Sequence, residues 1–148
     1  MENLVIDQSF WKGRRVFLTG HNGFKGSWIS LWLDQLGAEV CGYSLDCPTT
    51  SSIFYAAEIE KLMKYDVRGD IRDLNLLTKS MQSFQPEIVI HMAAQSLVRE
   101  SYVDPIDTYT TNIIGTVNLF EAVRNTASVK AVLNITSDKC YENKESLK

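Results

Sequence analysis

The sequence has no apolar run approaching the roughly 20 residues that span a bilayer, and its mean hydropathy is −0.12. It has no basic excess either: 15 Lys and Arg stand against 18 Asp and Glu, a formal charge of −3. A general nucleic-acid binder or a ligand of anionic membranes needs a cationic footprint, so neither nucleic acid nor membrane is an expected partner. Cysteine is scarce and odd in number, with Cys41, Cys47 and Cys140. Cys41 and Cys47 are six apart with no histidine nearby, which fails the spacing of a zinc site, and no metal is expected. The start, MENLVIDQSFWKGRR, carries an acid at position 2 and its basic cluster after the apolar residues, the reverse of a secretory signal. The expected setting is reducing and cytoplasmic. Fixed-period repeats, low-complexity segments and internal linkers are also lacking.

What is present is 148 residues of ordinary globular composition, 45% hydrophobic and 22% charged, enough for one domain. Short β-rich runs alternate with longer stretches of helical period. Arg15 to Thr19 reads as a buried strand that stops at Gly20. Phe24 to Leu36 repeats Ile29, Trp32, Leu33 and Leu36 at helical spacing, and Gly37 supplies a stop. Glu39 to Ser44 is a second strand, Ile53 to Lys61 a short helix and Lys64 to Val67 a third strand. Leu74 to Phe84 is an amphipathic helix closed by Gln85-Pro86. Glu87 to His91 is a fourth strand, a long helix starts after Pro105 and runs to Arg124, and Val129 to Ile135 is a fifth strand. This alternation implies right-handed βαβ crossovers. The expected fold is α/β, a doubly wound parallel sheet of Rossmann-like type in the order 3-2-1-4-5, truncated after about five strands. Residues 1–148 are read as one dinucleotide-binding unit.

The junction of the first strand and first helix carries Gly20-His21-Asn22-Gly23-Phe24-Lys25-Gly26. Glycine at the turn, at the phosphate approach and at the helix–strand contact, followed by a helix N-terminus, is how such folds bind a pyrophosphate. The alternative is a glycine-rich turn that serves packing only. No Gly-Lys-Ser/Thr follows at the offset of a Walker loop, since Lys25 precedes Gly26. His21 and Lys25 either touch phosphate or remain solvated loop side chains. His91, at a strand end, is either a ligand or a hydrogen-bonded structural histidine. Ser44 occupies the place where an acid for the adenosine ribose is expected, with Asp46 two residues later and no arginine in the local sequence to favour a 2′-phosphate. NAD is the expected cofactor.

Five ordered segments, TGHNGFKGSW, GDIRD, HMAAQSLVRESYVDP, TNIIGTVNLFEAV and ITSDKCYEN, together resemble the extended short-chain dehydrogenase/reductase family. Within it they are most similar to the sugar-nucleotide 4,6-dehydratases, and HNGFKGSW, GYSL and SDKCYEN to the CDP-glucose branch. The resemblance implies that Gly20, Asn22, Gly23, Phe24 and Gly26 line the pyrophosphate. It puts Asp70 and Ile71 at the adenine and Ala93, Ala94 and Gln95 beside the nicotinamide ribose, with Asn112 a buried hydrogen-bonding group of the long helix. Ser137, Asp138 and Lys139 become the catalytic cluster at the end of the fifth strand. The substrate implied is a small-molecule nucleotide sugar, and the assembly a homo-oligomer. The implied reaction withdraws hydride from C4 of the glucosyl unit, eliminates water across C5 and C6, and returns the hydride to C6.

Each catalytic role makes a demand on pKa. Asp138 must hold a proton to act as an acid, and Lys139 must be partly neutral to take the C5 proton, unless it orients a water or stabilises enolate charge. An unburied Asp-Lys pair would instead be a surface ion pair of little consequence. The family also uses a Tyr-x-x-x-Lys pair, and no tyrosine of this sequence has a lysine four positions on. The sequence is therefore expected to be the N-terminal portion of such an enzyme and inactive alone. An epimerase or reductase of the same superfamily, or a non-catalytic dinucleotide-binding protein, are the alternatives.

Overall fold

Five short strand segments line up in parallel in the computed structural model, which describes residues 8–47 and 49–136. The strands are β1 (Arg15–Thr19), β2 (Glu39–Ser44), β3 (Tyr65–Arg68), β4 (Ile88–His91) and β5 (Ala131–Asn134). Their order is β3-β2-β1-β4-β5, all pairs parallel. This is the expected doubly wound order. The helices are α1 (Gln8–Trp11), α2 (Phe24–Gln35), α3 (Ile53–Ala56), α4 (Leu74–Phe84), α5 (Val98–Val103), α6 (Pro105–Tyr109) and α7 (Gly115–Arg124). No helix is long and apolar enough to cross a membrane among the described residues.

Side chains of a strand alternate between faces, so β1 feeds two cores. Val16 and Leu18 join Leu33 of α2, Val40 and Ile90 on one face. Phe17 joins Tyr43, Leu77 and Met81 of α4, and Leu119 and Ala122 of α7, on the other. Covered on both sides, β1 must be apolar at every central position, which is why its sequence does not alternate. Trp28 and Trp32 lie on the outward face of α2, each about half exposed (55% and 50%).

Helix limits follow local chemistry. The Asp73 carboxylate accepts a hydrogen bond from the Leu76 amide at 3.0 Å and starts α4. Gln85 in the left-handed region (φ 54°) ends it before Pro86. Asp104 accepts from the Asp107 amide at 2.9 Å, and Pro105 occupies the first turn of α6.

Three expected elements differ. Ile53 to Lys61 is two pieces, α3 and a 3₁₀ turn over Ile59–Leu62, separated by Glu58 with φ 48°. The break lets Phe54 and Ile59 both bury completely. The long helix continues from α6 to α7 through a π turn over Thr110–Ile114. The fifth strand covers Ala131–Asn134, shorter than the run from Val129 to Ile135, with Lys130 and Ile135 each donating one further backbone bond, to Glu87 and His91.

The core assignment is testable at α4. Leu77→Ala removes a fully buried side chain and is expected to cost about 2–5 kcal/mol, read as a lower urea midpoint at unchanged m value. A loss below about 0.5 kcal/mol, the range of surface substitutions, would contradict the packing described.

Candidate functional site

All five strands end on the same edge of the sheet, and the chain leaves β1 and β4 toward opposite faces there. A crevice opens at such a reversal, and ligands of this architecture collect in it. The cleft found here has a volume of about 620 Å³, within the range of small-ligand sites. Of the residues singled out in the sequence, Gly20, Asn22, Gly23, Phe24, Gly26, Ser44, Asp70, Ile71, Ala93 and Ala94 line it. Gln95 stands behind this wall, and Ser137, Asp138 and Lys139 lie outside the described residues.

The glycine-rich loop is shaped by one contact. A Cβ on Gly26 would sit 2.0 Å from the Gly20 carbonyl oxygen, so only glycine lets α2 begin directly above the end of β1. Gly20 itself has φ +70°, and a Cβ there would meet the Ala93 amide nitrogen at 2.8 Å. No side chain caps the first turn of α2, and that turn holds no acid. Its amide groups and the positive end of the helix dipole are therefore left for an anion. Lys25 lines the same end of the cleft.

His21 does not face the cleft. It is fully buried against β2, where a Cβ on Gly42 would approach its ring to 2.5 Å. Its Nε2 lies 3.0 Å from the Asp66 carboxylate, and its ring meets Phe54 edge-on at 5.5 Å. Burial lowers its pKa, with Asp66 opposing. Of the two candidate phosphate contacts in the loop, the fold turns one inward and leaves Lys25.

The ends of β1 and β4 share a buried polar relay that the sequence did not reveal. Thr19 Oγ1 accepts from the amides of Met92 and Ala93, both at 3.1 Å, which leaves its hydrogen for His91 Nδ1 at 2.6 Å. His91 Nε2 then donates to Thr116 Oγ1 at 3.2 Å, and Thr116 donates to the Asn112 carbonyl at 2.7 Å. The half-buried Asn112 side chain accepts from the Gln95 amide at 2.8 Å and donates to the Gln95 carbonyl at 2.9 Å. The π turn of residues 110–114 contains Asn112, and its extra backbone residue locally changes the direction of side chains along the helix. His91 is thus a structural member of the wall. Burial brings its pKa down to about 4, and a second ring proton would point at the hydroxyl hydrogen of Thr19.

The opposite end of the cleft is built from β2 and β3. Tyr43 donates its hydroxyl to the Asp70 carbonyl at 2.9 Å, and Asn118 Nδ2 donates to the carbonyls of Ile71 and Arg72 at 3.2 and 3.0 Å. These bonds pin the Asp70–Ile71 turn. Arg72 holds the Asp70 carboxylate at 2.6 Å, keeping its pKa below the usual range. Asn22 Nδ2 donates to the Leu45 carbonyl at 2.7 Å, tying the glycine loop to the end of β2. Although the local sequence puts no arginine near Ser44, the β2–β3 register pairs it with Arg68. The Arg68 Nη1 approaches the Leu45 carbonyl at 3.4 Å.

The family model described as GDP-mannose 4,6 dehydratase matches residues 17–146. The CDP-glucose 4,6-dehydratase of Salmonella typhimurium is 57% identical over 141 residues, 95% of this chain and 39% of that protein. Among solved structures, the UDP-glucose 4-epimerase of Brucella ovis in complex with NAD aligns with a TM-score of 0.76 at 29% identity, over 91% of this chain and 39% of that one. That of Stenotrophomonas maltophila, with bound NAD and formylated UDP-arabinopyranose, aligns with a TM-score of 0.75 at 26% identity, over 90% and 40%. The chain thus spans about two fifths of the length of these relatives.

The buried relay makes stability depend on pH. His91 binds its proton at about pH 6.5 when unfolded but only at about pH 4 when folded, so the unfolded state takes up the proton first. The stabilisation is complete above pH 6.5 and is lost as pH falls toward 4, by about 3 kcal/mol. His21, also lowered, adds loss of the same sign. Urea midpoints across this window are expected to fall with pH, with a shallower slope in His91→Gln. An unchanged slope would show that His91 is protonated in the fold.

Proposed function

Because the chain belongs to the GDP-mannose 4,6 dehydratase family, we propose that it is the NAD-binding, N-terminal part of a CDP-glucose 4,6-dehydratase, a lyase acting on a nucleotide sugar. The observation that carries the cofactor reading is the cleft at the sheet crossover, with the uncapped start of α2 at one end and the pinned Asp70–Ile71 turn at the other. The 57% identity with the Salmonella enzyme supports the CDP-glucose branch over the rest of the family. NAD bound there supplies a hydride acceptor, later a hydride donor, for the sugar carbons.

The chain's own residues bind and orient. The amides of the Gly20–Gly26 loop hold the pyrophosphate, the Asp70–Ile71 turn holds the adenine, and Ala93 and Ala94 border the nicotinamide ribose, with Gln95, which does not line the cleft, bonded to Asn112. Asn22 keeps the two sides of the adenosine end together through the Leu45 carbonyl. Ser137, Asp138 and Lys139 follow the end of β5 in sequence, next to the cleft residues Ile135 and Thr136. In this reading Asp138 delivers a proton to the departing C6 hydroxyl, and Lys139 takes the proton from C5 or stabilises the enolate. No Tyr-x-x-x-Lys is present to deprotonate the C4 hydroxyl, so the chain alone has no turnover. A 4-epimerase, which performs no elimination, would not need the Asp138–Lys139 pair.

A homo-oligomer is proposed on the exposed face formed by Ile106, Tyr109, Ile113, Val117 and Phe120. These residues recur at helical spacing and make a continuous apolar stripe, which favours association. The edge strand β5, with Leu133 54% exposed, adds a second apolar edge. Cys41 and Cys47 are free thiols, which accords with the cytoplasm as the proposed compartment.

Calorimetric titration with NAD is expected to show saturable binding. In Gly23→Ala the added Cβ meets only the Gly20 carbonyl at 3.3 Å, so the variant should fold, but it is expected to weaken binding about tenfold by crowding the phosphate approach. No heat in folded protein would sink the cofactor reading. CDP-glucose is expected to remain unconverted by the chain alone and to be converted when the remaining portion of the related enzyme is supplied separately. Conversion that survives Lys139→Ala would remove the elimination role.

A further inference from the structure

Of the seven residues that follow β1, three are glycine: Gly20, Gly23 and Gly26. Glycine gives up more conformational freedom on ordering than any other residue. A loop of this composition keeps one shape, and aims its amides in one direction, only where something outside it holds it. Between Gly20 and Gly23 two side chains are present to do so. Asn22 reaches the Leu45 carbonyl at the end of β2. His21 turns away from the cleft and reaches β3.

The His21 ring belongs to a closed circuit of contacts. Its Nε2 lies 3.0 Å from Asp66 Oδ1, and the other oxygen of that carboxylate accepts from Arg68 Nη2 at 2.6 Å. The Arg68 guanidinium lies over the Phe54 ring at 5.1 Å, and Phe54 meets the His21 ring edge-on. Gly42 is the floor, with no room for a Cβ beneath the imidazole. Burial favours the neutral ring, and because a carboxylate only accepts, its one proton sits on Nε2. The main chain of the same residue is held as well. Its carbonyl accepts from Ser27 Oγ at 3.4 Å, and its Cα stands where a Cβ on Gly26 would come within 2.8 Å. With ring and Cα both fixed, the planar peptides on either side of residue 21 are fixed too. They lead directly into Gly20 and Asn22 of the cleft wall.

A side chain needed only to fill this slot would be apolar, since a buried bonded pair can be replaced by apolar groups of similar shape at little loss of stability. What the bond to Asp66 adds is a single orientation. We infer that His21 is a positioning residue for the dinucleotide: latched to Asp66, it holds the amides of the glycine loop in the arrangement that receives the pyrophosphate. The inference rests on the dinucleotide reading of the cleft. It gives His21 and Asp66 a part in affinity although neither lines the cleft, because a loop ordered beforehand loses less freedom when the ligand arrives.

The test is titration of the full chain with NAD, with ADP, which carries the pyrophosphate, and with adenosine, which does not. His21→Leu fills the slot without a donor. It is expected to weaken NAD and ADP about tenfold and to leave adenosine within about twofold of its wild-type affinity; a merely structural defect would weaken all three. His21→Gln, whose side-chain amide can donate in place of Nε2, is expected to restore ADP affinity to within about threefold of wild type. Asp66→Ala removes the same bond from the other side without altering the slot, and is expected to match His21→Leu. The double variant is expected to be no weaker than either, as partners in one interaction behave. Should His21→Leu not fold, Asp66→Ala decides alone. ADP affinity unmoved in these variants, a loss that His21→Gln does not restore, or adenosine weakened in parallel with ADP overturns the inference and leaves the cofactor reading standing. Binding of neither NAD nor ADP by folded wild-type protein overturns the cofactor reading and this inference with it.

Discussion

The approach of α2 to the end of β1 is the constraint on which the rest depends. With 2.0 Å between a Cβ at position 26 and the Gly20 carbonyl oxygen, no other residue lets the helix start where it does. That start sets the direction of the uncapped amides and the dipole behind them. It also brings the Gly20 turn against the main chain of Ala93, so the ends of β1 and β4 form one continuous wall. The residues at the two strand ends thus share a framework whose spacing is set by backbone contact rather than by flexible side chains.

Polar groups complete that framework without leaving charge inside it. Thr19, His91 and Thr116 form a chain of hydrogen bonds that ends on the Asn112 carbonyl, and the Asn112 side chain exchanges bonds in both directions with the Gln95 main chain. Fully satisfied networks of this kind specify one arrangement, and a partly satisfied one is costly. The charged groups are paired nearer the rim, as Arg72 with Asp70 and Asp107 and Arg68 with Asp66. Their value is in positioning, since exposed pairs add little stability. The cleft is therefore lined mainly by main chain of the glycine loop and by apolar surface, with Lys25 and Asp70 toward its ends.

Dehydratase and epimerase relatives share this scaffold, as expected where function resides in groups placed on a common fold. The described residues account for how a dinucleotide would be held. In the proposed reading the choice between elimination and epimerisation falls on the side chains that follow β5 in sequence, and the 57% identity with the CDP-glucose enzyme supports that reading more than the fold does.

The strand order and the phosphate loop were legible in the sequence because both are local signals. Apolar runs bounded by Gly20, Ser44 and His91 mark strand ends, and the handedness of βαβ crossovers leaves few topologies for them. The π turn that divides the long helix was not legible, nor was the bonding of its Asn112 to the Gln95 main chain, 17 residues away. Nor was the burial of His21, which depends on Asp66 in β3 and on the missing Cβ of Gly42. Periodicity reports which face of an element is apolar, and it is blind to what a neighbouring strand brings alongside. The strand ends and the glycine loop were therefore determined by the local sequence. What stands beside that loop, His21 on Asp66 and Arg68 across the register from Ser44, was decided only when β2 and β3 paired.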